Sequence, residues 1–158
     1  DPAQGENPTD YFNTVLYTGN GSTQSITGVN FSPNWTWIKN RSANDAHVFT
    51  DSVRGVTKEI QSNAASAEST NADGLTAFGS DGFSLGDDDI YNTNTESYVS
   101  WNWLAETTAS GSEDGNNPAF SSSSNSEAGF SIVSYTGTGA AGTVAHGAGA
   151  VPTPRQDH

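Results

Sequence analysis

The sequence lacks cysteine and methionine altogether. The absence of cysteine excludes a disulfide framework and a thiolate metal site. No apolar run approaches the ~18 residues that a membrane-spanning helix needs, so no membrane span is expected. The chain begins at Asp1 rather than at methionine, as expected of a processed chain or a fragment.

Positive charge is also scarce. Lysine and arginine together number 5 against 18 aspartate and glutamate residues, for a net charge of −13. Every basic residue except Arg155 lies between Lys39 and Lys58. Phosphate contacts need clustered lysine and arginine, so nucleic-acid binding is not expected. An acidic surface rich in serine, threonine and asparagine suits solubility outside cells, polysaccharide contact or cation binding.

Short runs of aromatic and β-branched residues, bounded by glycine, asparagine, aspartate and serine, make up most of the chain. Such runs at roughly ten-residue spacing predict an all-β fold, an antiparallel β-sandwich or jelly roll. Strands are expected within residues 11–18, 23–31, 34–40, 46–53, 57–62, 75–86 and 97–106. The "SDGF" stretch at 80–83 predicts a tight hairpin turn, because Asp-Gly readily adopts positive φ angles.

One phrase occurs twice. "FNTVLYTGNGSTQSITG", from Phe12 to Gly28, is nearly repeated by "FSIVSYTGTGAAGTVAHG", which begins at Phe130. At a constant offset of 118, the identical pairs include Phe12 and Phe130, Tyr17 and Tyr135, Thr18 and Thr136, Gly19 and Gly137, and Gly21 and Gly139. Val144 stands where the first copy has Ile26. We interpret the first phrase as a hairpin and the second as a partial repeat of it.

Four segments are therefore predicted. Residues 1–10 form a polar N-terminal extension, and residues 11–106 form the β-sandwich domain. Residues 107–129, rich in serine, glycine and asparagine, are expected to be a linker. Residues 130–158 are the partial repeat of the first hairpin, a strand-forming tail.

Three motifs carry a family resemblance: "WIKNRS" (37–42), "DSVRG" (51–55) and "YVSWNW" (98–103). With the "YTGNG" phrase, they resemble a domain of unknown function that recurs in marine bacteriophage virion proteins and some bacterial surface proteins. The resemblance covers residues 11–106 and again 130–152. It implies a concanavalin A-like sandwich, often in tandem, and no catalytic or ligand residues. The tandem proteins continue into a complete second domain, whereas the sequence here ends within the second copy.

Tryptophan occurs in two pairs spaced i, i+2, so each pair projects from one face of a strand. The pairs are Trp35 with Trp37 and Trp101 with Trp103. Stacking of sugar rings on these indoles is one interpretation. Burial between two sheets is the favoured one, since the alternating neighbours are small or polar.

Acidic and charged residues offer two further candidates. Asp87, Asp88 and Asp89 supply oxygen ligands of the kind that Ca²⁺ prefers, although a solvated acidic loop is the favoured interpretation. Asp51 and Arg54 are expected to fix a turn at Gly55 rather than to form a patch for an anionic partner. No other cofactor is indicated.

Catalysis is not expected, because the nucleophile-elbow and metalloprotease motifs are missing and Glu96 and Glu106 are too far apart for a glycosidase pair. The favoured function is a homopolymeric structural subunit whose tail strand is added to a neighbouring copy. The candidate contact residues are Phe130, Ile132, Val133, Tyr135 and Val144. A lectin-like module that binds a cell-surface glycan is the alternative, and a fragment of a tandem virion protein is the third possibility.

Overall fold

The structure, a computed structural model, describes residues 7–149 and is almost entirely β. A 3₁₀ turn occupies Pro8–Asp10, and one helical turn, α1, occupies Asp89–Asn92. The strands are β1 (Phe12–Thr18), β2 (Gln24–Thr27), β3 (Trp35–Asn40), β4 (Val48–Asp51), β5 (Lys58–Gln61), β6 (Ser69–Thr70), β7 (Leu75–Gly79), β8 (Gly82–Leu85), β9 (Ser97–Trp103), β10 (Thr107–Gly111), β11 (Phe120–Asn125) and β12 (Phe130–Tyr135). The chain divides into two compact units, with unit 1 ending at Leu104 and unit 2 beginning at Ala105.

Unit 1 contains two antiparallel sheets. One has six strands in the order β1-β9-β3-β4-β5-β6, and the other has three in the order β2-β8-β7. Side chains from both sheets and from α1 meet in one buried cluster: Ile26, Ile38, Val48, Leu75, Phe83, Leu85, Tyr91 and Tyr98. Full burial of each large apolar side chain contributes about 1.5–3 kcal/mol. This sandwich-like arrangement confirms the predicted all-β antiparallel class.

A second, smaller cluster lies beside the first. It is formed by Val29, Phe31 and Leu104, with Tyr11 and Val15 packed against it. Val15 of β1 contacts both clusters. The inward face of β1 therefore ties the two parts of the core together.

The first repeated phrase does not form a hairpin, and that prediction is wrong. β1 pairs with β9 along its whole length, whereas β2 pairs with β8 in the other sheet. The intervening "GNGS" turn is held by Asn92, whose side-chain Oδ1 accepts from Asn20 N at 2.9 Å and whose Nδ2 donates to Ser22 O at 2.5 Å. Because Asn92 satisfies the polar groups of the turn, the chain crosses from one sheet to the other.

The predicted hairpin near residues 80–83 is present, with its turn one residue earlier than expected. Gly79 pairs with Gly82, so Ser80 and Asp81 form the two-residue loop. Gly82 has φ of 152°, and a Cβ there would collide with Ile26 O of the neighbouring strand. The glycine therefore serves the close approach of β8 to β2 rather than the turn itself.

Unit 2 contains one antiparallel sheet in the order β10-β11-β12. The predicted linker 107–129 is therefore wrong, since it holds β10 and β11. Ser122, Ser123 and Ser124 of β11 are buried, and their hydroxyls donate to the carbonyls of Ala109, Ala105 and Thr107 respectively. A serine tract can lie in a buried strand when each hydroxyl finds a backbone acceptor.

The predicted tail strand is present as β12, but the rest of the predicted copy is not. Residues 136–149 contain no strand, so Val144 does not lie in a β2-like element. Residues 150–158 of the tail and 1–6 of the predicted extension lie outside the described residues. Within residues 7–149, no helix is long and apolar enough to span a membrane.

Candidate functional site

The tryptophans lie on the outer face of the six-stranded sheet. In β3, Thr36 and Ile38 point inward and are buried, so Trp35 and Trp37 point outward and are half-buried. The same alternation holds in β9, where Trp101 and Trp103 point outward. The favoured prediction that the indoles fill the space between the sheets is therefore wrong.

The inner face accepts polar residues because they satisfy one another. Thr36 Oγ1 donates to Asn102 Oδ1 at 3.1 Å. Asn102 Nδ2 donates to Asn13 O at 3.2 Å and to Ser100 Oγ at 3.1 Å. With these hydrogen bonds made, burial of the polar residues carries little penalty, and the indoles take the opposite face.

We call the outward set Phe12, Trp35, Trp37, Phe49, Trp101 and Trp103 the aromatic face. Its rings lie in contact across four strands. The centroid distances are 4.7 Å for Phe12–Trp103, 4.4 Å for Trp35–Trp103, 5.0 Å for Trp37–Trp101, and 5.1 Å for both Trp35–Phe49 and Trp37–Phe49. At the margin, Trp37 Nε1 donates to His47 Nδ1 at 3.0 Å. Tilted rings at these distances stabilise one another, and their outer surfaces can stack on an apolar ligand face.

The three consecutive aspartates do not converge on one point. Asp88 is the N-cap of α1, and its Oδ1 accepts from Ile90 N at 2.9 Å. Asp89 Oδ1 accepts from Thr93 Oγ1 at 3.3 Å. Among the described residues, no group of three or more acidic or histidine side chains is placed to hold a metal ion. The geometry therefore gives Asp88 and Asp89 a local role in the chain turn and does not bring the candidate Ca²⁺ ligands Asp87, Asp88 and Asp89 together.

The prediction for Asp51 and Arg54 is confirmed. Asp51 Oδ2 lies 2.6 Å from Arg54 Nε, and Asp51 Oδ1 accepts from the backbone amides of Val53 and Arg54. Gly55 follows with φ of 100°, and its amide donates to Asp51 O at 3.0 Å. This buried carboxylate fixes the turn after β4, since it satisfies two backbone donors and one cation.

Sequence reasoning missed a buried carboxylate in the core. Glu59 is 6% exposed, and it accepts from Tyr91 Oη at 2.8 Å, Ser69 Oγ at 3.1 Å and Asn71 Nδ2 at 3.3 Å. Burial, followed by the negative charge of Glu59, raises the pKa of Tyr91 far above its ordinary value. Alternation in "TKEIQS" would place the apolar Ile60 inward and Glu59 outward, whereas Ile60 is 38% exposed, so the sequence pattern gave no signal for the buried carboxylate.

Strand β12 carries the candidate contact residues of the tail. Phe130, Ile132 and Val133 are half-buried, and Tyr135 is 61% exposed. Val144 is half-buried in the irregular segment that follows. β12 pairs with β11 on one side and is an edge of its sheet. Its outer side presents backbone groups on which a further strand can pair.

The corresponding strand in unit 1, β1, is also an edge strand and is fully engaged on its inner face. Tyr17 Oη donates to Tyr91 O at 2.8 Å, and its ring stacks on Tyr98 with centroids 5.1 Å apart. Burial raises the pKa of Tyr17, and the neighbouring hydroxyls of Tyr98 and Tyr91 raise it further. The tyrosine at this position of the repeat is thus packed in β1, as Tyr17, and mostly exposed in β12, as Tyr135.

Comparison with known proteins gives one finding. The family model described as "Domain of unknown function (DUF7483)" matches residues 7–154, and this single match includes both copies of the repeated phrase. No curated protein and no solved structure matches the chain. A match over this share of the chain places it: the protein belongs to the DUF7483 family of domains of unknown function.

Proposed function

We propose that this chain is a non-enzymatic structural subunit that assembles with further copies of itself, and that β12 of one copy pairs with the sandwich of the next. The observation that carries the proposal is the edge strand β12, which repeats the sequence of an edge strand of the sandwich. A contact between the end of one copy and the body of another is heterologous and does not close by symmetry. Such contacts propagate into a fibre or filament.

The composition of unit 2 supports this proposal. Both clusters of buried apolar residues found in the described chain consist of residues from unit 1. β11 contributes buried serines, while the apolar residues of β12 remain half-buried or exposed. A sheet of three strands without an apolar core is marginally stable, so pairing with another copy would stabilise it.

The proposed setting is extracellular, on a virion or a bacterial surface. Support comes from the resemblance to virion and surface domains with a concanavalin A-like sandwich, and from the acidic composition. The partners proposed are further copies of the chain, with neither nucleic acid nor a membrane involved.

The test compares two exposed apolar side chains on full-length protein by sedimentation velocity and negative-stain microscopy. Tyr135→Asp is expected to weaken self-association about tenfold or more, because it places a charge on the pairing strand. Val56→Asp is the control, since Val56 is an exposed apolar side chain (37%) in the turn between β4 and β5, outside both β1 and β12. A wild-type chain that stays monomeric at all concentrations, or equal effects of the two substitutions, would refute the proposal.

A second candidate function is carbohydrate binding by the aromatic face. The observation that favours it is the contiguous set of four indoles on an outward sheet face, with His47 at the margin. Indole faces stack on the apolar faces of sugar rings. A glycan array with wild-type protein and Trp37→Ala tests it. Binding that is lost in the variant supports this function, and no binding by the wild type counts against it.

A further inference from the structure

We propose, on the basis of the assembly above, that β12 does not extend the sheet beyond β1 but takes the place of β1 beside β9 in another copy. The exchange would use the register that β1 uses now. Phe130 would lie opposite Trp103, Tyr135 opposite Tyr98, and Thr136 opposite Ser97. The interaction surface is thus the β9 edge of a second copy of this chain.

Gly137 supplies the first argument. No atom of residues 7–149 lies within 4 Å of the position that its Cβ would occupy, and its φ is outside the left-handed region. Its present surroundings therefore do not require glycine. The matching residue, Gly19, does require it, because a Cβ there would collide with Thr93 O. The glycine at 137 therefore fits the place of Gly19, where a side chain would collide, although its own described surroundings leave room for one.

The inward side chains give the second argument. In β1, Val15 packs against both buried clusters, and Tyr17 stacks on Tyr98. At the same positions β12 has Val133 and Tyr135. Tyr135 is 61% exposed in unit 2, so transfer to the site of Tyr17 would bury most of its ring. Burial of an aromatic side chain is a large favourable contribution.

The outward side chains also match. Phe12 packs on Trp103 with ring centroids 4.7 Å apart, and Phe130 would replace it. Ile132 would stand where Thr14 now lies opposite Trp101 and would offer it a larger apolar contact. In place of β1, strand β12 would therefore contact the same tryptophans of the aromatic face that β1 contacts now.

The turn after each strand has a left-handed glycine at the same repeat position. Gly21 has φ of 65°, and Gly139 has φ of 75°. Gly139 therefore already has the φ that Gly21 has in the "GNGS" turn. Two of the replacements lose hydrogen bonds: Ser131 replaces Asn13, which donates to Val29 O at 3.2 Å, and Thr138 replaces Asn20, which pairs with Asn92. These losses make β12 a weaker occupant than β1, so exchange should depend on protein concentration.

The first test is Gly137→Ala in the full-length protein. Because the added methyl group meets nothing in the isolated chain, the melting temperature in dilute solution should not change. In the exchanged form the same methyl group would collide with Thr93 O, so association should weaken about tenfold or more. Gly79→Ala is the control, since Gly79 is exposed and its Cβ would lie 3.6 Å from the nearest atom. Equal association of wild type and Gly137→Ala would overturn the proposal.

The second test uses the absence of cysteine. Ser97→Cys and Thr136→Cys are made in separate full-length chains, one of them isotope-labelled, and mixed under oxidising conditions. A disulfide-linked heterodimer is expected, because the exchange places these residues opposite each other. Thr138→Cys, beyond the end of the pairing strand, should link far less to Ser97→Cys.

The two proposals fail in different ways. If the wild type assembles but Thr136→Cys links to Thr18→Cys of β1 rather than to Ser97→Cys, strand addition holds and replacement is wrong. If the wild type does not associate in the sedimentation experiment, the assembly proposal itself is wrong, and replacement falls with it.

Discussion

Single residues in this molecule show how polar groups are accommodated between two sheets. Asn92 is completely buried and connects the first turn to α1, since it bonds to Asn20, Ser22 and Gly86. Glu59 is buried among three hydrogen-bond donors. Each of these polar side chains exchanges its hydrogen bonds with water for several hydrogen bonds within the protein. Its removal should therefore lower the free energy of unfolding.

The contribution of one such buried hydrogen bond to stability can be measured at Tyr91. Tyr91→Phe removes the hydroxyl that donates to Glu59 at 2.8 Å. We expect the free energy of unfolding at neutral pH to fall by about 1–2 kcal/mol, because a buried carboxylate loses one of its donors. Urea unfolding followed by tryptophan fluorescence measures the change. Tyr135→Phe is the control on an exposed ring and should change stability little; an equal loss in both variants would contradict the prediction.

The buried tyrosines also predict alkaline instability. The pKa values of Tyr17, Tyr91 and Tyr98 are raised in the folded chain, chiefly by burial. The folded state therefore holds phenolic protons more tightly than the unfolded state, whose tyrosine pKa is about 10. The stabilisation is complete below pH ~10 and is lost as the pH rises through the folded pKa values. Urea midpoints should be constant from pH 8 to 9 and fall above pH ~10; a flat profile to pH 11 would contradict this.

At the scale of elements, loops and sheets are held together by side chains that bond to the backbone. The β7–β8 turn contacts the loop after β2 through Asp81, whose Oδ2 accepts from Gly28 N at 3.1 Å and whose Oδ1 accepts from Asn30 N at 2.6 Å. Val29 lies between these two amides and is completely buried in the second cluster. The carboxylate thus positions an apolar anchor.

We expect Asp81→Ala to lower the free energy of unfolding by about 1–2 kcal/mol, since two backbone amides lose a charged acceptor at a partly exposed site. Asp81→Asn should lose less, because its amide oxygen still accepts one bond. Asp87→Ala removes an exposed carboxylate of the same loop-rich region and serves as the control. Thermal unfolding of the three variants ranks them, and an Asp87→Ala effect as large as that of Asp81→Ala would contradict the assignment.

Elements were also the level at which the sequence was most informative. Alternation located β1, β3 and β9, because period-2 patterns follow from strand geometry. Alternation alone does not say which face of a strand is inward. The aromatic face would ordinarily be expected inside, but the hydrogen bond between Thr36 and Asn102 lets these polar residues lie inward instead. The serine tract of β11 resembled a linker because composition does not reveal bonds to backbone carbonyls. The "GNGS" turn suggested a hairpin because its partner, Asn92, is distant in sequence.

For the whole molecule, the two units should differ in local stability. Unit 1 holds both apolar clusters found among residues 7–149, and its β9 is a central strand paired on both sides. Unit 2 is a single sheet whose buried strand is largely serine. Local opening is governed by buried apolar contacts, so amides of β10–β12 should exchange with deuterium faster than those of β9.

The same measurement examines strand replacement in the whole assembly. In dilute protein, β1 should be protected through its pairing with β9, and the amides of β12 that are not bonded to β11 should exchange faster. Raising the concentration should increase protection in β12 and reduce it in β1, because the displaced strand loses its partner. Peptides spanning residues 12–18 and 130–135 report on the two strands in one mass spectrum, and β3 is an internal reference. Protection that rises in both strands together would indicate strand addition outside β1, and protection unchanged with concentration would exclude both forms of assembly.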